Sequence, residues 1–283
     1  MKRARLFLKN AARYPGSFLV RLLCAAASLI VAGALALIIG YILITGIPNL
    51  KPSLFALEYN SENVSLLPAL FNTVIMTLLS LLLAVPLGVG GAIYLAEYAN
   101  RSSKIVKAVR LTAETLAGIP SILYGLFGMM FFVTSLRWSY SLLAGGMTLA
   151  VMILPLILRT TEEALLSVPD SYREGSFGLG AGRLRTVTHI VLPPAMSGIL
   201  AGVILAIGRV VGETAALIYT AGTVADWPKG VMSSGRTLAV HMYVLSGEGL
   251  HVSEASATAV VLLVIVVGMN ALSAFAAKKL TRG

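Results

Sequence analysis

The sequence predicts an all-α polytopic membrane protein with six transmembrane helices, and three observations carry that prediction. Only 12% of the 283 residues are charged while 57% are hydrophobic, against the roughly one quarter charged that a soluble domain needs to cover its surface. Mean hydropathy is +0.87, and the apolar residues fall in blocks of the ~20 residues that cross a bilayer as helix. Basic residues are concentrated on alternate connections between those blocks.

Six spans follow in order, at about 20–45, 68–95, 109–135, 140–158, 197–221 and 257–277. Backbone groups in lipid have no water to bond, so uninterrupted apolar runs are read as helices. The first run, preceded by Lys2, Arg3, Arg5 and Lys9, resembles a signal-peptide core, but Leu22 to Ile44 is too long for a cleaved one and a retained helix is expected. Residues 1–18 mix basic side chains with Leu6, Phe7 and Leu8, which suits an interfacial helix on the inner leaflet or a frayed basic terminus. The fourth span contains Pro155 and is short.

Counting Lys and Arg gives 17 on the N-terminal segment, the second and fourth connections and the C-terminus, against 4 on the first, third and fifth connections. The positive-inside rule then places both termini in the cytoplasm of a cell inner membrane. Tyr41, Trp138 and Trp227 lie near the outer ends of spans, where amphipathic rings favour the headgroup region. The net charge of +10 sits in short segments between apolar blocks, which argues for lipid contact and against nucleic acid. Cys24 is the single cysteine, so no intrachain disulfide exists.

The loop between spans four and five, 159–195, is the richest stretch. Pro169-Asp170 should end the preceding helix, and Ser171-Tyr-Arg-Glu174 has capping-box spacing, predicting a short helix from about Tyr172 to Leu179. Gly180 and Gly182 can supply a left-handed stop, and a second short helix through Leu184 and Val187 should end before Pro193-Pro194. Glu174, Gly180, Ile190, Leu192 and Pro193 fall in the register of the EAA loop that the stretch resembles, the loop of ABC-importer permeases. Gly175 and Ser176 replace that motif's two alanines. The resemblance implies that the short helix, with exposed Tyr172, Phe177 and Leu179, docks into a groove of a separate ATPase. The chain carries no G-x-x-x-x-G-K-[ST], so ATP and Mg2+ belong to that partner and no cofactor is expected here.

Glu114, Arg209 and Glu213 fall within spans, where a charge needs a partner or an aqueous path. Arg209 and Glu213 are four apart and share a helix face, so they can form a packing ion pair. Alternatively Arg209, Glu213 and Glu114 line an anion path, since a guanidinium matches tetrahedral oxyanions, and Glu213 neutralises Arg209 when the path is empty. Gly198, Gly202, Gly208 and Gly212, with Gly88, Gly90 and Gly91, are read as close helix-packing positions.

Gly208-Arg-Val-Val-Gly-Glu-Thr-Ala-Ala216, Tyr94-Leu-Ala-Glu-Tyr98, Gly118-Ile-Pro-Ser121 and Leu158-Arg-Thr-Thr-Glu162 resemble the phosphate-specific ABC permeases, and residues 234–243 resemble their A-type subunit. That resemblance implies a type I ABC-importer permease fold, like that of methionine permeases. It implies segment 1–66 as a basic N-terminus, first helix and outer loop, and 67–280 as a permease core with the coupling loop at about 162–195. Implied partners are a second, C-type permease, two ATPase subunits and an extracytoplasmic phosphate-binding protein, working by alternating access. A sulfate or molybdate importer and an ion-coupled secondary carrier are the competing readings. His189, His241 and His251 lie outside the spans and no H-E-x-x-H or G-x-S-x-G occurs, so no enzyme is expected.

Overall fold

A computed structural model describes residues 15–100 and 102–280. The reading of segment 1–18 as an interfacial helix therefore lies outside the described residues, apart from 15–18. Among the described residues eleven α-helices, joined or extended by 3-10 and π turns, build one bundle. α1 is Pro15–Gly46, followed by two 3-10 turns, Ile47–Asn49 and Pro52–Phe55. α2 is Leu67–Ile93, extended by a π turn Tyr94–Tyr98. α3 is Lys104–Ala117, and α4 is Ser121–Gly128 with a π continuation Met129–Ser135. α5 is Leu142–Leu166 and α6 is Asp170–Gly178. α7, Arg183–Thr186, runs through a π turn Val187–Val191 into α8, Leu192–Val211. α9 (Ala215–Ile218), α10 (Leu238–Glu248) and α11 (Val252–Leu280) complete the chain.

Five of these helices are long and apolar enough to cross a membrane, or six if the bent pair α3–α4 counts as one span. The chain is a multi-pass membrane protein. The end of the bundle formed by α6 and α7 is termed the lower end, and the opposite end the upper end.

The predicted third span, 109–135, is corrected by a 102° bend between α3 and α4. Pro120 lacks an N–H and drives Ile119 out of the helical region, so Gly118-Ile119-Pro120 stops α3. α3 is amphipathic and crosses the lower end, while α4 with its π turn rises only roughly 20 Å. The fourth span is longer than predicted, reaching Leu166 with Pro155 buried inside it. Neighbouring helices satisfy or shield the backbone that a membrane-helix proline frees. The fifth span ends earlier than predicted, at Val211, with Gly212 at its C-cap.

α5 is the axis of the bundle, packed by α2, α8, α3 and α4. Its buried Leu149, Met152, Ile153 and Ile157 meet Met76 and Ala84 of α2 and Ala206 and Val210 of α8. Lipid removes the hydrophobic drive between helices, so close approach through small residues must supply packing. A Cβ on Gly198 would lie 2.6 Å from Ala164 Cβ, one on Gly88 2.8 Å from Ile157 Cγ2, and one on Gly202 would collide with Thr160. These glycines are packing positions as predicted, and Gly91 touches Leu158. Gly90 and Gly208 face open space and Gly212 meets only its own helix, which corrects the packing reading there.

At the upper end the connection after α8 folds back as a cap. Leu142 and Leu143 donate their free first-turn N–H groups to Ser233 O (3.0 Å) and Val231 O (2.8 Å), and Ser141 Oγ accepts from Ala144 N. A membrane helix that starts inside protein needs such partners for its orphan donors. Trp227 Nε1 donates to Leu57 O at 2.6 Å, tying the same connection to the loop after α1. It also rests its ring against Phe71.

Candidate functional site: the lower-end loop and the charges of the bundle

α6 starts at Asp170 behind Pro169, and no side-chain cap bond is made there. The predicted capping box is therefore corrected: Ser171 sits inside the first turn and Glu174 is solvent-exposed. The helix starts two residues earlier than predicted, directly after Pro169, and Asp170 puts a carboxylate in the first turn, where the helix dipole favours it. The stop is as predicted. Gly180 has φ +81°, Gly180 N donates to Phe177 O at 2.9 Å, and Ala181 N donates to Ser176 O at 3.1 Å. That bond pair is a Schellman motif.

The second short helix does not end before the prolines. α7, the π turn and α8 form one continuous helix, Arg183–Val211. Leu192 N reaches Val187 O in the π turn, so the ladder shifts by one residue just ahead of Pro193 and Pro194, which have no N–H to give.

Tyr172, Gly180 and Ile190 line one cleft of 520 Å³ with Leu179, Arg185 and His189. Leu179 is 91% exposed and Tyr172 53%, an apolar rim left uncovered by the described residues. Glu174 stands outside that cleft, Leu192 packs inward beside the buried Val191 and Ala195, and Pro193 is exposed on the first turn of α8.

What fixes α6 to the bundle is a residue the sequence reading passed over. Arg173 is buried and donates to Glu97 Oε1 at 2.6 Å, to Asp170 Oδ1, and to the carbonyls of Val168 and Leu165. The hydrogen bond to Glu97 raises the guanidinium's pKa further, against the opposing pull of burial. Glu97 belongs to the π turn that extends α2. A second pair joins α3 to α5, the half-buried Arg110 donating from Nε to Oε1 of the buried Glu162 at 2.7 Å. Both glutamates lie in segments noted only for their resemblance, Tyr94–Tyr98 and Leu158–Glu162. Burial of their carboxylates, not sequence pattern, is what marks them.

The three predicted path charges are not brought together. Glu114 lies on α3 rather than within a straight span, exposed, with its carboxylate 3.4 Å from Arg159 Nη1 at the lower end. Arg159 in turn holds Glu163 at 2.9 Å. Glu213 is buried past the end of α8, where its Oε1 accepts from Ala216 N at 3.0 Å and starts α9. The expected i,i+4 pair with Arg209 is thereby lost, because the helix that would align them stops at Val211. Arg209 is half-buried, close enough to Tyr124 of α4 to interact electrostatically. Among the described residues no carboxylate comes within 4 Å of it.

Residues 88–282 match the family model described as binding-protein-dependent transport system inner membrane component. The chain belongs to that family. It is a transport-system membrane component of the binding-protein-dependent class, with no catalytic role. Among its relatives is the probable ABC transporter permease protein YqgI of Bacillus subtilis, 35% identical over 81% of each chain. Another is the phosphate transport system permease protein PstA of Yersinia pestis, 33% identical over 78% of this chain and 75% of that one. PstA of Pasteurella multocida is 40% identical over 62% of this chain and 63% of its own.

Among solved structures, a bacterial alginate ABC transporter superposes with a TM-score of 0.67 at 16% identity, over 98% of this chain and 99% of that one. The MetNI methionine transporter in an inward-facing conformation gives 0.58 at 21%, over 75% and 94%. At those identities the likeness establishes the ABC-importer permease fold of this binding-protein-dependent component, and nothing about cargo.

Proposed function

We propose that this chain is a permease subunit of an ATP-driven inorganic phosphate importer. The observation that carries this reading is identity of 33–40% to several proteins named phosphate transport permeases. The exposed apolar cleft of α6 supports a separate ATPase as the energy source, since a short helix presenting Tyr172 and Leu179 suits a groove on a partner. The assembly in this reading pairs the chain with a second permease, two ATPase subunits and an extracytoplasmic binding protein for phosphate. The lower end and both termini face the cytoplasm, as the 17-to-4 distribution of basic residues favours.

In this reading Arg209 lines the anion path. Its guanidinium is half-buried, lies near Tyr124 and has no carboxylate among the described residues to neutralise it, so it is available to an oxyanion. Glu213 anchors the helix break beside the path, and Glu114 with Arg159 marks its lower mouth. The test is uptake of labelled phosphate in cells lacking the chain, complemented by wild type or Arg209→Gln. Saturable, ATP-dependent uptake with wild type and none with an inserted Arg209→Gln supports the reading. Sulfate or molybdate uptake in place of phosphate refutes the cargo.

A further inference from the structure

At the upper end, far from α6, the chain buries a second cationic group that no carboxylate among the described residues neutralises. Arg236 is 4% exposed. Its backbone is held on both sides: Arg236 N donates to Val224 O at 2.9 Å, and Asn72 Nδ2 donates to Arg236 O at 3.2 Å. Next to it Leu238 N donates to Thr73 Oγ1 at 2.8 Å. Gly235 permits this approach, since a Cβ there would lie 2.6 Å from Asn72 Nδ2. The guanidinium lies over the Tyr59 ring at 5.1 Å. The His241 ring, fully buried, meets Tyr59 edge-on at 6.4 Å.

Five of the seven buried side-chain polar atoms that lack a hydrogen-bond partner among the described residues belong to this cluster. They are Arg236 Nε and Nη2, both ring nitrogens of His241, and Asn72 Oδ1. The Val64 carbonyl lies beside the imidazole, within reach as an acceptor for one of its nitrogens. Arginine cannot escape burial by losing its proton, and an unpaired buried charge costs more than an ordinary hydrogen bond returns. Each of these atoms exposes less than 1 Å², so a ligand would reach them when the cover of the cluster shifts.

The free atoms state the ligand's chemistry. Nε and Nη2 form the side edge of the guanidinium, the fork that takes two oxygens of a tetrahedral oxyanion. Asn72 Oδ1 can only accept, and a neutral imidazole donates from one nitrogen and accepts at the other. A ligand that accepts from the fork and also donates an O–H fits all three, as hydrogenphosphate does; sulfate and chloride have no proton to give. The enclosure of the cluster favours a small free anion over an acidic side chain reaching in from another protein.

We propose that Arg236, His241 and Asn72 form a second anion site, separate from Arg209, that binds a protonated tetrahedral oxyanion at the upper end of the bundle. The ligand's identity rests on the reading of the chain as a phosphate permease. On the reading in which the upper end faces the binding protein, this site receives the anion before Arg209 does.

The test is binding of radiolabelled inorganic phosphate to the assembled transporter in lipid nanodiscs without ATP, by scintillation proximity. Arg209→Gln should retain binding, and Arg209→Gln combined with Arg236→Gln should weaken it at least tenfold. Arg236→Lys, which keeps the charge and lacks the fork, should weaken it as well while melting near wild type. Sulfate at equal ionic strength should compete at least tenfold less well than phosphate. A phosphate affinity unchanged within twofold by both Arg236 substitutions overturns the site, as does equal competition by sulfate or chloride. Loss of pairing with the second permease at unchanged phosphate affinity assigns the guanidinium to a partner's carboxylate, which also overturns it. Parallel uptake assays separate the two readings: import that persists while binding ignores Arg236 defeats this site alone, and absence of import by wild type defeats the phosphate assignment.

Discussion

Arg173 and Glu97 stand 76 residues apart in the chain and 2.6 Å apart in space, joining α6 to the foot of α2. The pair is nearly enclosed, with side-chain exposures of 10% and 7%. Two backbone carbonyls and Asp170 complete the arginine's donor set, so the surface that meets a partner is braced against a membrane-spanning helix.

Removing one member of a buried pair leaves the other charged and unpaired, at about 3–5 kcal/mol. Arg173→Gln should lower the melting temperature of the assembled transporter and abolish transport while the chain still inserts. Arg173→Lys should not rescue it, because a point-like ammonium cannot serve Glu97 and two carbonyls in the planar geometry of a guanidinium. Normal transport by Arg173→Gln would make the brace dispensable.

Gly180 offers a cleaner probe of the same surface. A Cβ there meets nothing within 4 Å, and its φ is +81°, so Gly180→Ala changes backbone strain alone, by roughly 1–2 kcal/mol. Weakened binding of the ATPase subunit in pull-down, with little loss of overall stability, is the expected result. Gly178→Ala, with equally open space and ordinary helical φ, is the control and should bind normally.

His241 should impose a pH dependence on stability. Burial, and secondly the charge of Arg236, push its pKa down to about 3 from 6.5. Arg236 and Tyr59 are the ionisable groups set against it. The unfolded chain takes up the proton that the folded one refuses, so stability is full above pH 6.5 and falls as pH drops toward 3. At pH 5 the loss is about 2 kcal/mol. Thermal melts of wild type and His241→Gln between pH 7 and 5 should diverge by that amount, the variant being flatter. Parallel slopes would show that the imidazole is not held neutral.

Two glycines of α8 should behave oppositely. Gly202→Ala drives a methyl into Thr160 of α5, whereas Gly208→Ala enters open space. Overpacking costs about 1–3 kcal/mol, so Gly202→Ala should reduce the yield of assembled complex. Gly208→Ala should match wild type or gain slightly in helix propensity.

The class of the molecule was legible because lipid leaves few choices: long apolar runs can only be helices, and a five-point loop motif marks its own register. The Gly180 stop was legible for the same reason, since a left-handed turn asks for glycine. What the sequence hid were outcomes of competition between neighbours. Pro155 and Pro120 look alike in a hydropathy profile, yet α5 is enclosed by other helices and continues, while α3 has no such enclosure and stops. Arg209 and Glu213 have helical spacing, but spacing has meaning only if the helix persists, and Gly212 ends it. Arg173, Glu97, Arg236 and His241 were invisible as sites because each takes its significance from a residue remote in sequence.

The π turn ahead of Pro193 has a mechanical consequence. By letting the helix pass two prolines unbroken, it makes residues 183–211 a single strut about 43 Å long. One end is seated beside the exposed cleft of α6, and Arg209 rides on the last turn before Gly212 at the other. Tilting such a strut by about 10° about its lower end sweeps the Arg209 end through about 7 Å, given its rise of 1.5 Å per residue. A nucleotide-driven push at the bottom would thus arrive at the guanidinium as leverage on one rigid body, with the bend at Gly212 as the pivot that lets the cap above stay where it is.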